Sequence, residues 1–249
     1  MTETEPPATA STTPILSVVV PAYQEGRRLP TTLERLASYL GRRFTDRFEV
    51  LVVDDGSTDG THELTNEHPE AFRTIRLPRN QGKGAAVRAG VLASVGELVL
   101  ITDADLAAPI EELAKLEEHI ETAPVIFGSR ALRRDLIRQR QPFYREGLGR
   151  IFNRILQLLG VRGIRDTQCG FKLLRGDIAR SLFAEMIVDG FAFDVELLLR
   201  ARRRGLEVAE VPVVWNHVED SRVHPVKDSL HMLFDVLRLR WHLARERSR

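Results

Sequence analysis

Apolar and polar stretches alternate along the first half of the chain at the lengths typical of strands and helices. Short runs rich in Val, Ile and Leu are separated by longer segments whose apolar residues recur at helical spacing. This pattern predicts strands at 15–20, 49–54, 72–77, 97–102 and 124–128, and helices at 30–41, 60–68, 83–94 and 109–121. Because the two alternate regularly, the expected fold is α/β, with a Rossmann-like, mostly parallel, doubly wound sheet flanked by helices.

The alternation is lost after Gly128. The second half predicts a helix at 142–159, a short strand near 167–174, helices at 176–184 and 194–204, and a strand at 206–213. From Pro225 to about Arg245, apolar residues recur at helical spacing beside arginines, which predicts an amphipathic terminal helix. That helix either packs on the core or lies at a membrane interface.

Composition favours a single domain. A chain of 249 residues with 43% hydrophobic content can bury one sizeable core. The first residues are rich in Thr, Pro, Glu and Ala and have no periodicity, as in disordered segments. The predicted organisation is a disordered tail at 1–14, one α/β domain at 15–224 and the terminal helix at 225–249.

The charge balance narrows the range of partners. A formal net charge of +1 argues against a nucleic-acid partner. Arginines nevertheless outnumber acids between Arg130 and Arg150. This basic segment is either a solvated face or a contact for an anionic partner.

Cys169 is the only cysteine, so neither an internal disulfide nor a cysteine-rich zinc site is possible. A reducing, cytoplasmic compartment fits this usage. No run of about 18 apolar residues and no basic-led apolar leader is found, so neither a membrane span nor a signal peptide is expected. Any membrane contact is expected to be peripheral, on the cytoplasmic face.

Chemistry is concentrated where predicted strands end. Asp103-Ala104-Asp105 directly follows the apolar run at 97–102, and open α/β sheets bind ligands at this edge. Carboxylates are hard oxygen donors that suit Mg²⁺ or Mn²⁺ shared with a phosphate ligand. The pair therefore predicts a site for a metal and a diphosphate, unless one of the acids only caps the helix that starts near Pro109.

Two upstream strands also end in polar loops, at 21–26 and at 54–61, and parallel strands bring such ends together. In the second loop the acids either bind a ligand or only serve the turn. Lys83 lies in Gly82-Lys83-Gly84, but Leu77 stands where a Walker loop requires glycine. A dinucleotide fingerprint is also missing after the first strand, so both of those nucleotide-binding classes are excluded.

Taken in order, these motifs resemble the inverting glycosyltransferases of family 2, which have the nucleotide-binding GT-A fold. The resemblance covers Ile15 to about Trp241 and rests on Pro-Ala-Tyr-x-Glu, Asp-Asp-Gly-Ser-x-Asp-Gly-Thr, Asn-x-Gly-Lys-Gly and Asp-Ala-Asp. The second half is most similar to the polyprenyl- or dolichyl-phosphate sugar synthases, in particular the dolichyl-phosphate glucosyltransferase branch. That similarity rests on the segments 166–172, 191–198, 215–217 and 221–223. Mannose-transferring relatives often carry a metal-binding Gln where this chain has Ala107.

The resemblance implies a role for individual residues. The nucleotide would be bound by Pro21, Ala22, Tyr23, Glu25, Asp55, Lys83, Asp103 and Ala104, with Asp55 at the base. The metal, Mg²⁺ or Mn²⁺, would be held by Asp103 and Asp105. The acceptor phosphate would contact Ser129, Arg130 and Arg222, and the residues expected to act in catalysis are Asp105, Asp194, Arg130 and Arg222.

The implied activity is transfer of a hexose, most simply glucose from UDP-glucose, to polyprenyl or dolichyl phosphate. Alternatives within the family are GDP-mannose as donor, or a glycan or small-molecule hydroxyl as acceptor. A nucleotide-binding module without catalysis is the alternative outside the enzymes, and the intact Asp55, Asp103 and Asp105 argue against it.

Overall fold

One seven-stranded sheet organises the computed structural model, which describes residues 13–67, 71–136, 157, 163–216 and 225–246. The strand order is β3-β2-β1-β4-β6-β5-β7. The strands are β1 (Leu16–Ala22), β2 (Phe48–Asp54), β3 (Phe72–Arg76), β4 (Leu98–Ile101), β5 (Val125–Ser129), β6 (Lys172–Arg175) and β7 (Val208–Pro212). The predicted α/β fold is confirmed.

Strand β6 is the exception to the parallel arrangement. It pairs antiparallel with both β4 and β5, whereas the other neighbours pair in parallel. Lys172, its first residue, lies opposite Ile101 on one side and Phe127 on the other. The start of β6 therefore lies at the edge where β4 and β5 end, and it brings the preceding loop to that edge.

Helices cover both faces of the sheet. They are α1 (Leu29–Phe44), α2 (Lys83–Ala93), α3 (Leu113–Glu117), α4 (Gly176–Ala184), α5 (Phe193–Arg203) and α6 (Pro225–Glu246). Short 3₁₀ helices occur at Thr61–Glu67, Ile110–Glu112 and Arg134–Leu136. Within the described part of the chain, no helix is both long enough and apolar enough to cross a membrane.

Two hydrophobic cores lie on opposite faces of the sheet because side chains alternate along each strand. In β1, Val19 belongs to the core under α2, α4, α5 and α6. Val18 and Val20 belong to the core under α1 and α3. Each fully buried aliphatic side chain contributes about 1.5–3 kcal/mol. The central strands are thus rigid supports for the loops at their ends.

Several predicted boundaries are corrected. Within the predicted segment 60–68, Thr61–Glu67 forms a 3₁₀ helix, since seven residues provide few α-helical hydrogen bonds to offset nucleation. Segment 109–121 is α-helical only from Leu113 to Glu117, and the following residues form turns closed by bonds such as that from His119 N–H to the Leu116 carbonyl. The strand predicted near 167–174 begins only at Lys172. The predicted helix at 142–159 lies outside the described residues except for residue 157, and so does most of the predicted tail.

Candidate active site

The loops after β1 and β2 are fastened to each other. Gln24 N–H donates to Ser57 Oγ at 2.9 Å, and Glu25 N–H donates to Thr61 Oγ1 at 3.0 Å. Gln24 has a φ of 57°, a conformation that this bond helps to hold. The second loop thereby fixes the position of the first, including the partly exposed Tyr23.

Pro21, Ala22 and Glu25 lie at the base of this double loop. Pro21 and Ala22 are the last two residues of β1, and both are buried. The Glu25 carboxylate is engaged by Arg28, whose Nε and Nη2 atoms lie 2.7 and 2.5 Å from its two oxygens. Glu25 is therefore held in place before any ligand binds.

Asp55 connects the β2 loop to the segment before α2. Its two carboxylate oxygens accept hydrogen bonds from the backbone N–H groups of Gln81 at 2.7 Å and Gly82 at 2.8 Å. Burial raises the pKa of Asp55, and the two backbone donors oppose that rise. Since each carboxylate oxygen has two lone pairs, the buried Asp55 retains capacity for a further donor.

Lys83 and Asp103 form an ion pair at the centre of the site. The Lys83 Nζ atom, at the first residue of α2, lies 2.5 Å from Asp103 Oδ1 just after β4. Burial raises the pKa of Asp103, but the charge and hydrogen bond of Lys83 act together with the charges of Lys172 and Arg130 and hold the pKa below its usual value. Asp103 is therefore ionised, and its side chain remains 34% exposed and accessible.

Asp105 is the second acid of this edge. Burial and the neighbouring charge of Asp103 raise its pKa above the usual value. One of its oxygens accepts the backbone N–H of Ala107 at 3.0 Å, and the intervening Ala104 carbonyl accepts from Thr32 Oγ1 at 2.6 Å. No side chain caps the helical turn that follows Pro109. The capping explanation for the two acids is therefore wrong.

Gly170 makes room for Asp103. A Cβ atom at Gly170 would overlap the Asp103 carboxylate, so any larger residue would displace the acid. The same loop borders a small open depression, lined by Thr102, Asp103, Ala108, Cys169, Gly170, Phe171 and Trp215. The loop before β6 is therefore part of the site.

Arg130 is held by Asp166. Its Nε and Nη2 atoms lie 2.7 and 2.8 Å from the two Asp166 oxygens, and its own backbone N–H also donates to Asp166 at 2.9 Å. The guanidinium stacks 5.5 Å from the centre of the Trp215 ring. Burial raises the pKa of Asp166, but the Arg130 charge holds it below the usual value. Ser129, one residue earlier, is buried at the end of β5.

Asp194 forms a buried ion pair with Lys172. The two charged atoms are 2.7 Å apart, and neither side chain is appreciably exposed. Lys172 also donates to the Cys169 carbonyl and lies between the rings of Phe127 and Phe193. Burial raises the pKa of Asp194, and Lys172 opposes that rise. The pair links α5 to the loop that carries Gly170.

Glu196 supports the site from behind through buried hydrogen bonds. Its carboxylate accepts the backbone N–H groups of Ile187 and Val188 and the Nε–H of Arg200. The adjacent Asp189 carbonyl accepts Ala85 N–H at 3.1 Å in the first turn of α2. Glu196 therefore fixes the segment against which Lys83 and its helix are placed, and it does not face the site itself.

The sequence that forms this site matches a known protein family. The model of "Glycosyl transferase family 2" matches residues 17–183, which run from the second residue of β1 past the end of β6. The chain belongs to glycosyl transferase family 2. It is a glycosyltransferase of the GT-A type, as the sequence motifs indicated.

Relatives of this glycosyltransferase are similar over most of their length. Dolichyl-phosphate beta-glucosyltransferases of Mus musculus and Homo sapiens are 39% and 38% identical, covering 96% and 99% of the chain and 81% and 83% of those proteins. One from Trichomonas vaginalis is 41% identical over 89% of the chain and 69% of its own length.

Solved structures share the fold at low identity. Mannosyl-3-phosphoglycerate synthase from Rubrobacter xylanophilus superposes with a TM-score of 0.70 and 18% identity, covering 94% of this chain and 74% of that one. Glucosyl-3-phosphoglycerate synthase from Mycobacterium tuberculosis, in complex with Mn²⁺, UDP and glucosyl-3-phosphoglycerate, gives 0.65 and 22%, covering 96% and 85%. These similarities establish the fold of the glycosyltransferase.

Most of the predicted site residues of the glycosyltransferase lie at one edge of its sheet. Asp103 acts electrostatically on Lys83, Asp105, Arg130 and Asp194. Arg222, together with residues 217–224, lies outside the described residues. Asp166 and Lys172 belong to the sequence motif 166–172, but the sequence alone assigns neither residue a role. A lysine within the apolar run Phe171–Leu174 was the signal that a buried partner had to exist.

The carboxylates suit a divalent metal ion. No group of three or more His, Cys, Asp or Glu side chains that could hold a metal occurs in the described ranges, so Asp103 and Asp105 would supply two ligands only. Mg²⁺ normally keeps several waters and shares phosphate oxygens, which fits such a short protein ligand set. Burial, followed by the charge of Asp103, raises the pKa of Asp105, and a nearby cation would favour its charged form.

Proposed function

We propose that this glycosyltransferase transfers glucose from UDP-glucose to dolichyl or polyprenyl phosphate, with inversion at the anomeric carbon and with Mg²⁺ or Mn²⁺. The observation that carries the donor chemistry is the Asp103–Asp105 pair beside Lys83 at the carboxyl edge of the sheet. The choice of glucose and dolichyl phosphate is supported by relatives that are 34–41% identical, all of them dolichyl-phosphate beta-glucosyltransferases.

On the donor side, the fastened loops 21–26 and 54–61 would bind the nucleoside. Asp55 would accept a ring N–H of the base with its remaining lone pairs, while Pro21, Ala22, Tyr23 and Glu25 line the base and ribose. Lys83 would exchange part of its pairing with Asp103 for an oxygen of the diphosphate. UDP and Mn²⁺ are bound by the glucosyl-3-phosphoglycerate synthase that shares this fold, which supports a uridine donor.

Asp103 and Asp105 would hold the metal, with Ala104 between them against the nucleotide. The ion, when bound, supplies Lewis-acid stabilisation of the leaving diphosphate. The role of the protein is to present two carboxylates in a fixed turn, which the Thr32 and Ala107 hydrogen bonds provide.

On the acceptor side, a phosphate monoester is already anionic near neutral pH and needs no general base to attack the opposite face of the sugar. Arg130, Ser129 and Arg222 are proposed to bind it. Asp166 uses two of the five N–H donors of Arg130, which leaves capacity for a phosphate oxygen. Asp194 would bind a sugar hydroxyl from its position beside Lys172.

A hydroxyl acceptor is the second candidate. The observation in its favour is the raised pKa of the Asp194 carboxyl, because a base of raised pKa is better suited to take a proton from an alcohol. If the acceptor is a lipid phosphate, the enzyme must work at a membrane surface. We place it on the cytoplasmic face, where the buried free Cys169 would remain reduced.

The deciding experiment supplies the purified protein with a panel of labelled nucleotide sugars and a short polyprenyl phosphate, followed by extraction into organic solvent. We expect label in the solvent phase only with UDP-glucose, only with divalent metal, and not with the corresponding polyprenyl alcohol. Equal transfer to the alcohol would contradict the phosphate acceptor, and transfer from GDP-mannose alone would contradict the donor.

The metal role is tested by Asp105→Asn. We expect loss of at least about 100-fold in transfer, because a ligand of the catalytic ion is removed. Stability should not fall, since burial and Asp103 already oppose the charge on Asp105. The measurements are turnover, Mn²⁺-dependent UDP binding by calorimetry and thermal unfolding, with the exposed Asp177→Asn as control. Wild-type turnover that persists in EDTA would refute the assignment.

A further inference from the structure

Helix α6 carries two apolar stripes, of which only one faces the protein. The first stripe packs into the core beside α5 and consists of Met232, Val236, Leu239 and Leu243. The second is exposed, with accessibilities of 63%, 67%, 50% and 57% for Leu230, Phe234, Leu237 and Trp241. These four residues are called the outer stripe below. Four large apolar side chains left in water on one helix indicate a surface that contacts something else.

The outer stripe is continuous. Its residues are spaced by four, three and four positions, so they line one side of the helix over about 16 Å at 1.5 Å per residue. Trp241 and Phe234 are aromatic, and Trp is typical of side chains that lie at the boundary between headgroups and acyl chains. The geometry fits a helix that lies flat on a surface.

The basic and acidic residues of α6 lie on different sides of the helix. The exposed arginines Arg238, Arg240 and Arg245 flank the outer stripe, and the Arg245 guanidinium stacks 3.5 Å from the centre of the Trp241 ring. Between Leu230 and Glu246 the acidic residues are Asp235 and Glu246. Asp235 lies beside Gly190, and Glu246 pairs with Arg200 and Arg203 of α5, so both acids are turned toward the protein.

This charge pattern decides between two occupants of the outer stripe. The spacing of four, three and four also matches a coiled-coil seam, so a second copy of the chain is the rival. The positions that flank such a seam are His231, Leu233, Arg238, Arg240 and Arg245, with no acid among them. Pairing with itself would therefore set arginine against arginine, whereas anionic lipid headgroups complement the same residues.

The position of α6 links this surface to the site. Asp235 approaches Gly190, and the Gly190 carbonyl lies against Gly84 in the first turn of α2, next to Lys83. A surface that contacts α6 is thus separated from the donor-binding edge by one loop.

We propose that the outer stripe of α6 docks on a lipid bilayer that carries anionic headgroups, with the helix lying in the plane of the interface. The source of the lipid rests on the proposed function, in which the acceptor is a membrane lipid. The aromatic and aliphatic side chains would enter the acyl boundary, and the flanking arginines would contact the headgroups.

Flotation with vesicles of phosphatidylcholine and about 30% phosphatidylserine tests the docking directly. We expect the wild-type protein to float at low salt and to bind about tenfold more weakly at high salt, because the arginine contribution is screened. Phe234→Ser with Trp241→Ser should weaken binding by at least about tenfold. The matched control is Leu92→Ser with Val95→Ser, which removes two other exposed apolar side chains, 46% and 52% accessible, near the end of α2.

A second pair of measurements protects the test against misfolding of the serine variant. Arg238→Gln with Arg240→Gln changes only exposed polar positions, and it should reduce the salt dependence of binding. Vesicles should also shift the tryptophan emission of the wild-type protein to shorter wavelength, and Trp241→Phe should abolish that shift.

Three results would overturn the proposal: no flotation at low salt, flotation that the serine variant retains, or a dimer that the serine variant makes monomeric while vesicles fail to bind. Transfer to a short polyprenyl phosphate dispersed in detergent is measured on the same proteins. Failure of that reaction with intact flotation would count against the proposed function alone, and transfer without flotation would count against the docking surface alone.

Discussion

Asp103 is the residue on which most charges of the site act. Burial raises its pKa, but Lys83, Lys172 and Arg130 together hold it below the usual value. Burial, followed by this negative charge of Asp103, raises the pKa of Asp105. The ionised Asp103 thus makes ionisation of Asp105 less favourable. A bound divalent cation would favour the charged form of Asp105.

Arg130 provides a prediction at the same scale. Arg130→Lys removes the two-bond fork to Asp166 and leaves a buried carboxylate with an incomplete set of donors. We expect unfolding free energy to fall by about 1–3 kcal/mol and transfer to polyprenyl phosphate to fall much further, with UDP binding nearly unchanged. Urea unfolding, calorimetry and turnover measure the three quantities.

The control for this change is Arg133→Lys, since Arg133 is exposed and pairs with Asp135 on the surface. A double-mutant cycle of Arg130→Lys with Asp166→Asn measures how much of the stability loss comes from the Arg130–Asp166 interaction. Full acceptor turnover in Arg130→Lys would show that the guanidinium serves Asp166 only.

At the level of whole elements, the site depends on two segments that hold its charged residues in position. Strand β6 runs against its neighbours, so the loop 166–171 arrives at the edge where β4 ends and places Gly170 on Asp103. The segment 187–190 supports α2 from the other side, through Asp189 and Ala85. Lys83 is positioned by both packing arrangements.

Glu196 provides a prediction about the support of α2 by the segment 187–190. Glu196→Gln places an amide N–H₂ where the carboxylate now accepts the Ile187, Val188 and Arg200 donors. We expect about 1–3 kcal/mol of lost stability and faster hydrogen exchange at 187–190, because one buried donor loses its acceptor. The affinity for the nucleotide-sugar donor should also fall, although Glu196 faces away from the site.

The exposed Glu97, which pairs with Arg47 at the surface, gives the comparison. Glu97→Gln should cost less than about 1 kcal/mol. Unchanged exchange at 187–190 in Glu196→Gln would mean that the segment is held by its other contacts.

For the whole molecule, the buried Cys169 reports on global stability at alkaline pH. Burial, followed by the charge of Asp166, raises the pKa of its thiol to about 11. The unfolded thiol ionises near 8.5. The folded state therefore keeps its full contribution below about pH 8.5 and loses it progressively as pH rises toward the folded pKa.

Urea unfolding between neutral and alkaline pH measures this loss, which we expect to reach about 3 kcal/mol across that range. Cys169→Ala lacks the titrating group and should show a shallower alkaline slope. The native thiol should also resist a disulfide reagent until the chain unfolds. Parallel slopes for the two proteins, or rapid labelling of the native state, would contradict the assignment.

Local sequence patterns are sufficient to predict the alternation of strands and helices, the α/β class and the motifs that indicate the family. These follow from local patterns, because apolar periodicity and turn residues are properties of neighbouring positions. The positions of Asp55, Lys83, Asp103 and Asp105 beside the ends of strands or the start of a helix could be predicted for the same reason.

The tertiary structure decided what those residues contact. The antiparallel direction of β6, the Arg130–Asp166 fork and the buried Lys172–Asp194 pair join positions far apart in the chain. The second apolar stripe of α6 was likewise undecided by periodicity, which marks apolar positions but not which of them another element covers. Local sequence patterns are compatible with several strand directions, ion pairs and buried faces. Long-range packing decides which of them form, because the burial of a residue depends on what packs against it.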